Sequence, residues 1–172
     1  TQGNDLIEPE RQTEIEAGFD IGFNDGRVSA DFTFYRKLVK DLLLEANVPT
    51  SSGFTEQIQN AADLQNQGVE IGVNADIIRS ANFKWNSRTS FWLNRSEITR
   101  LDVDAFNTGA FGATLGTYRI EEGMSATQIV GITSDPDDED GIAVYGDAEA
   151  DFQMSFQNSM RWKDLELSFV LH

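Results

Sequence analysis

The stretch Glu14-Ile15-Glu16-Ala17-Gly18-Phe19-Asp20-Ile21-Gly22-Phe23 places an apolar side chain at every odd position and Glu, Gly or Asp at every even one. Successive side chains of a strand point to opposite faces, so this period of two predicts a β-strand with one apolar and one polar face. After Asn24-Asp25-Gly26 the alternation resumes, with Val28, Ala30, Phe32 and Phe34 set against Arg27, Ser29, Asp31 and Thr33. An Asp-Gly pair suits the two positive-φ positions of a type I′ hairpin turn. With Asp25-Gly26 as the loop, Phe23 faces Val28, Ile21 faces Ala30 and Phe19 faces Phe32, and the apolar faces coincide as register requires.

Two further hairpins follow the same plan. Val69, Ile71, Val73, Ala75 and Ile77 alternate with Gly68, Glu70, Gly72, Asn74 and Asp76, and the return strand carries Phe83, Trp85, Phe91 and Leu93. Matching odd with odd positions needs an odd-length loop, placed at Arg79-Ser80-Ala81. Phe152, Met154, Phe156 and Met160 then pair with Leu165, Leu167, Phe169 and Leu171 across a turn at Lys163-Asp164. The fold class expected is all-β, with about six antiparallel strands in three up-and-down hairpins, the turns all at one end.

Connections between hairpins read as long, from Val39 to Gln67 and from Arg95 to Glu149. Long loops are uncommon in compact domains but usual on the outer side of outer-membrane barrels, whose opposite turns are short. Strands of about 10 residues, rising about 3.3 Å each and tilted about 45°, cover about 23 Å, close to the apolar band of such barrels. Phe23, Phe34, Tyr35, Phe83, Trp85 and Trp162 fall near strand ends, as an interfacial girdle requires. Ile15, Phe19, Ile21, Val69, Ile71, Val73, Phe32, Phe34, Phe152, Met154 and Phe156 are the expected lipid-facing set. The alternative is a soluble β-sandwich, a carbohydrate-binding module at the cell surface, whose apolar face packs on a second sheet. About six strands cannot close a transmembrane barrel, for which about 8 is the minimum. The alternating stretch Leu167-Ser168-Phe169-Val170-Leu171-His172 also breaks off mid-strand, so a larger barrel is expected.

Composition excludes several classes. The 172 residues hold 13 Lys and Arg against 29 Asp and Glu, a formal charge of −16, with no Cys and one His, the terminal His172. No thiol nucleophile, disulfide or Cys-based zinc site is available, and an imidazole-dependent triad has no internal histidine to use. Nucleic acid is not an expected partner, because phosphate neutralisation needs clustered Lys and Arg. Glu14, Glu16, Asp20 and Glu70 sit where alternation puts polar groups and form no acid/base pair, so no enzymatic activity is expected.

In order along the chain, Leu6-Ile7-Glu8-Pro9-Glu10, Glu14 to Asp20, Tyr35-Arg36-Lys37 with Lys40-Asp41-Leu42-Leu43, Pro49-Thr50-Ser51-Ser52-Gly53-Phe54, Asn66-Gln67-Gly68-Val69-Glu70-Ile71, Gly146-Asp147-Ala148-Glu149 and Trp162 to Phe169 form a series of strand and turn signatures. Together they resemble the C-terminal half of the barrel in the SusC/RagA family of TonB-dependent outer-membrane transporters, over almost the whole chain. The resemblance implies a 22-stranded barrel in the bacterial outer membrane, of which residues 1–172 form part. On that resemblance the plug, the early strands and the last strands are expected to lie outside this chain. It further implies a SusD-like surface lipoprotein as partner, energy from TonB through segments outside the chain, contact with outer-membrane lipid, and uptake of glycan or peptide.

Two site candidates arise. Asp137, Asp138 and Asp140, in the run from Asp135 to Gly141, could hold Ca²⁺, since hard cations take clustered carboxylates. Aligning Gly141 with the sixth position of an EF-hand loop puts Pro136 at the first, so that motif fails and a solvated acidic loop is the plainer reading. No other cofactor is expected. Trp92 falls on the polar face beside Arg88, Ser90 and Asn94; it is either an aromatic platform for a sugar ring of a ligand or, the plainer reading, a ring packed in the lumen against the plug. Gly109-Ala110-Phe111-Gly112 follow no strand-to-helix pattern and read as a flexible loop.

Overall fold

A computed structural model of the chain describes residues 3–110, 116–134 and 141–172, and in them ten strands form two antiparallel sheets. The first sheet has the order β1-β2-β3-β4-β9-β10, from β1 (Arg11–Phe23), β2 (Val28–Asn47), β3 (Glu56–Arg79), β4 (Phe83–Leu101), β9 (Gln153–Trp162) and β10 (Leu165–Leu171). The second has the order β5-β6-β7-β8, from β5 (Phe106–Ala110), β6 (Thr117–Ile120), β7 (Gln128–Ile132) and β8 (Ile142–Asp147). The expected up-and-down barrel wall is therefore present as an open six-stranded sheet. The chain divides into two compact units.

One unit comprises Ile15–Tyr35, Gln67–Asn94 and Ala150–His172. Its three turns lie at one end, as the alternation predicts. Arg27 N–H donates to the Asn24 carbonyl at 3.1 Å, with Asp25 and Gly26 at φ 53° and 76°, the left-handed pair of a type I′ turn. The rings of Phe19 and Phe32 stack at 5.5 Å across this hairpin, in the expected register. The β9–β10 turn is Lys163-Asp164, with Leu165 opposite Trp162. Lys163 N–H donates to the Asn82 carbonyl at 3.0 Å, tying two turns together, and Asp76 N–H of β3 to the Arg27 carbonyl at 2.8 Å, tying the first turn to the neighbouring strand.

The β3–β4 loop is Ser80-Ala81-Asn82, one residue later than expected. Ser80 closes it: its N–H donates to the Phe83 carbonyl at 2.9 Å while its hydroxyl accepts from Phe83 N–H at 3.0 Å. A side chain that caps both backbone groups of its partner outweighs pattern in fixing the turn. The loop length stays odd, so the apolar faces still match.

On that face Ile15, Phe19, Ile21, Ile71, Val73, Phe152, Phe156, Leu165 and Leu167 are exposed. A soluble sandwich would bury them, so this face is not a packing surface within the chain. Asn158 is the polar interruption; it pairs with Phe169 and Ser87 and accepts the Trp85 indole N–H at 3.0 Å, which satisfies both groups.

The other unit comprises residues up to Glu14, Arg36–Asn66 and Arg95–Glu149. It corrects the expected loops. β2, β3 and β4 run for 20, 24 and 19 residues, so most of 39–67 is strand and only Val48–Thr55, with a 3-10 turn at Thr50–Ser52, connects β2 to β3. Asp41 adopts φ 58° inside β2, which interrupts the pleat and scrambles the period of two on either side. The expected loop from Arg95 to Glu149 holds the end of β4 and all four strands of the second sheet. Ala62, Ile98 and Ile120 form a buried cluster, with Leu42, Leu44, Leu64, Leu101, Phe106 and Ala126 packed on it.

Candidate functional site

The polar face of the first unit is shaped by two glycines of β3. A Cβ on Gly72 would overlap the Asp31 carboxylate, and one on Gly68 would overlap both the Leu93 carbonyl oxygen and the Tyr35 hydroxyl. The missing side chains let residues of β2 lean across β3. Tyr35 uses that space to donate from its hydroxyl to Asn94 Oδ1 at 2.8 Å. Around Gly72 the result is an open concavity of about 270 Å³ lined by Asp31, Glu70, Ile71, Gly72, Arg88, Ser90, Phe91 and Trp92. Trp92, the sequence candidate for ligand contact, is half-buried in this lining and sits opposite Gln153 of β9.

Asp31 and Arg88 face one another at 3.8 Å, each about half exposed. Alternation accounts for their sharing a face. Their convergence over a glycine was not read from the sequence, although glycine at polar-face positions opposite long side chains is the signal that would have shown it.

In the other unit, Arg100 binds carboxylates from three directions. Its guanidinium donates to Asp63 Oδ1 at 2.7 Å, lies 3.4 Å from Asp41 Oδ1 and pairs with Asp102. Arg11 of β1 adds a bond to the second Asp41 oxygen at 2.9 Å. Asp63 Oδ1 also accepts from the Asp41 N–H at 3.0 Å, which holds the left-handed residue in place. The hydrogen bond from Arg100 holds the Asp63 carboxyl below its ordinary pKa of 3.8, against the opposing effect of burial and with help from the Asp41 N–H. A depressed folded-state pKa contributes stability that is complete above the unfolded value and is lost as pH falls through the folded one. Asp63→Asn is therefore expected to flatten the acid limb of the urea-unfolding midpoint below pH 3.8 in the intact protein. Parallel acid limbs for wild type and variant would refute this.

Asp147 and Glu149 form a second polar knot. Burial opposes ionisation of Asp147, but hydroxyls of Ser125 and Thr127 and the Glu149 N–H outweigh it and lower its pKa. Glu149 in turn accepts from Ser96 N–H at 3.0 Å. These bonds account for the network as structure. Among the described residues no group of His, Cys, Asp or Glu is arranged to hold a metal ion. The calcium candidates Asp137, Asp138 and Asp140 lie outside the described residues.

Comparison with known proteins gives three findings. Residues 1–169 match the family model described as "TonB dependent receptor-like, beta-barrel". Among curated relatives, TonB-dependent receptor P26 of Formosa agariphila is 28% identical over 93% of this chain and 20% of its own length. TonB-dependent receptor SusC of Bacteroides thetaiotaomicron is 33% identical over 57% of this chain and 10% of its own. A solved structure of the RagAB peptide transporter superposes with a TM-score of 0.80 over 99% of this chain and 21% of that one, at 22% identity, a likeness of fold. The chain thus spans about a fifth of the length of the first curated relative it matches.

Proposed function

Because the chain belongs to the TonB-dependent receptor-like β-barrel family, we propose that residues 1–172 are a wall segment of a larger outer-membrane barrel that takes up nutrient with energy from TonB. The observation that carries this reading is the six-stranded sheet with one exposed apolar face and one polar face bearing a concavity. The exposed face suits lipid, and the polar face suits a water-filled or plugged lumen. Closure into 22 strands, with a plug and the remaining strands supplied by other segments, satisfies the free edges of β1 and β10, which lipid could not. The cargo is a glycan or a peptide, and a SusD-like surface lipoprotein is the partner that presents it. RagAB, whose fold this chain resembles, is a peptide transporter. The barrel moves its cargo without transforming it, and no cofactor enters the reading.

A deletion confined to residues 135–140 tests the partner and cargo part of this proposal. It spares β8, which pairs with β7 from Ile142 opposite Ile132 to Asp147 opposite Gln128. In the parent receptor this deletion is expected to leave outer-membrane abundance unchanged while reducing either co-purification of the surface lipoprotein or nutrient-dependent growth. Loss of TonB is expected to abolish uptake by the wild type. Unchanged uptake without TonB would overturn the transport reading, and unchanged docking and growth in the deletion would remove residues 135–140 from it.

A further inference from the structure

The concavity over Gly72 is not electrically neutral. Asp31 and Arg88 answer one another at 3.8 Å, which leaves the Glu70 carboxylate as the uncompensated charge in the lining. Among the described residues neither the Glu70 carboxylate nor the Trp92 indole N–H has a hydrogen-bond or ion-pair partner. An aromatic ring beside an unneutralised carboxylate attracts a cation twice, through the ring's quadrupole and through charge-assisted hydrogen bonds. An anion would meet the Glu70 charge, while Arg88, the cation of the lining, is already paired with Asp31. A neutral polyol could use the ring and the oxygens but would leave the Glu70 charge unanswered. The volume of about 270 Å³ falls just under the usual range for whole small-molecule pockets, so it suits a single side-chain-sized group. The chain's formal charge of −16 favours the same sign of ligand.

We propose that Glu70 and Trp92, over the floor left open by Gly72, form a subsite for an alkylammonium or guanidinium group, and that the cargo is a peptide bearing Lys or Arg. The proposal rests on the reading of this face as part of the transport lumen. Glu70 supplies the charge and the hydrogen-bond acceptors, Trp92 covers the apolar stem and faces the cation, and Arg88 stays committed to Asp31.

The test uses the intact receptor labelled with 5-fluorotryptophan, with the ¹⁹F resonance of residue 92 assigned by its loss in Trp92→Phe. The probes are acetyl-Gly-Lys-Gly-amide and the same peptide acetylated at Nε. A saturable shift is expected with the first probe and at least tenfold weaker binding of the second. Glu70→Gln should weaken the first probe at least tenfold, whereas Arg88→Gln should leave it equal or tighter. Retained heat-modifiability of each variant on gels shows that the barrel has assembled. Equal responses to the two probes, or undiminished binding in Glu70→Gln, would overturn the subsite. TonB-dependence is read separately, as uptake of the labelled Lys peptide by cells with and without TonB. Selective binding with TonB-independent uptake would overturn the transport reading alone, and TonB-dependent uptake with indiscriminate binding would overturn the subsite alone.

Discussion

Replacing Ile71 by Arg is expected to destabilise the intact barrel by about 2 to 4 kcal/mol, the cost of a cation on the lipid face near the bilayer midplane. Ile71 lies on the exposed apolar face of β3, flanked in sequence by Glu70 and Gly72 on the opposite face. Glu70→Arg changes charge at the adjacent residue yet keeps it on the polar face, so it serves as the matched control and should cost far less. Urea-unfolding midpoints of both variants in lipid vesicles decide the matter. Equal tolerance of Arg at the two positions would contradict the assignment of faces, and with it the membrane.

The second large effect is expected at Gly68. Valine there would drive its Cβ into the Leu93 carbonyl oxygen, a backbone atom of the neighbouring strand, and into the Tyr35 hydroxyl. Overpacking of this kind costs about 1 to 3 kcal/mol. Tyr35→Ala in the same chain should recover only part of the loss, because the ring can be removed and the carbonyl cannot. Full recovery in the double variant would show that the strands separate freely at this point. The atoms nearest a Cβ on Gly72 are those of the Asp31 carboxylate, on a side chain that can rotate away. The stability cost of Gly72→Val should therefore be smaller, while the concavity is filled.

These contrasts show where the sequence was legible. Strict alternation from Glu14 to Phe34 specified the strands, their faces and the register, because a slip of one residue would have sent Phe19 and Phe32 to opposite sides. The same reasoning placed Trp162 opposite Leu165. Beyond Val39 the alternation fails for a physical cause: Asp41 is left-handed, and the surrounding strands pack on a cluster around Ala62 and Ile98. The strands β5 to β8 are four to six residues long, too short for a period of two to stand out from chance. Trp92 could be assigned to the polar face from spacing alone. Its neighbours in the concavity could not, since Asp31 reaches them only across a residue that has no side chain. In the sequence Arg100 is one of 13 basic residues, and only folding brings Asp41, Asp63 and Asp102 to it.

The pairing of β4 with β9 holds in unbroken register from Phe83 opposite Trp162 to Trp92 opposite Gln153, although residues 102–152 intervene in the chain. Loop-closure entropy grows only with the logarithm of length, about 0.6 kcal/mol per doubling. Lengthening or exchanging the intervening segment therefore barely perturbs the wall, provided its first and last residues return to the same two strands. One part of such a molecule can be remodelled while the seam keeps its pairing. Insertion and recombination between β4 and β9 can in this way supply new segments without having to rebuild the barrel wall.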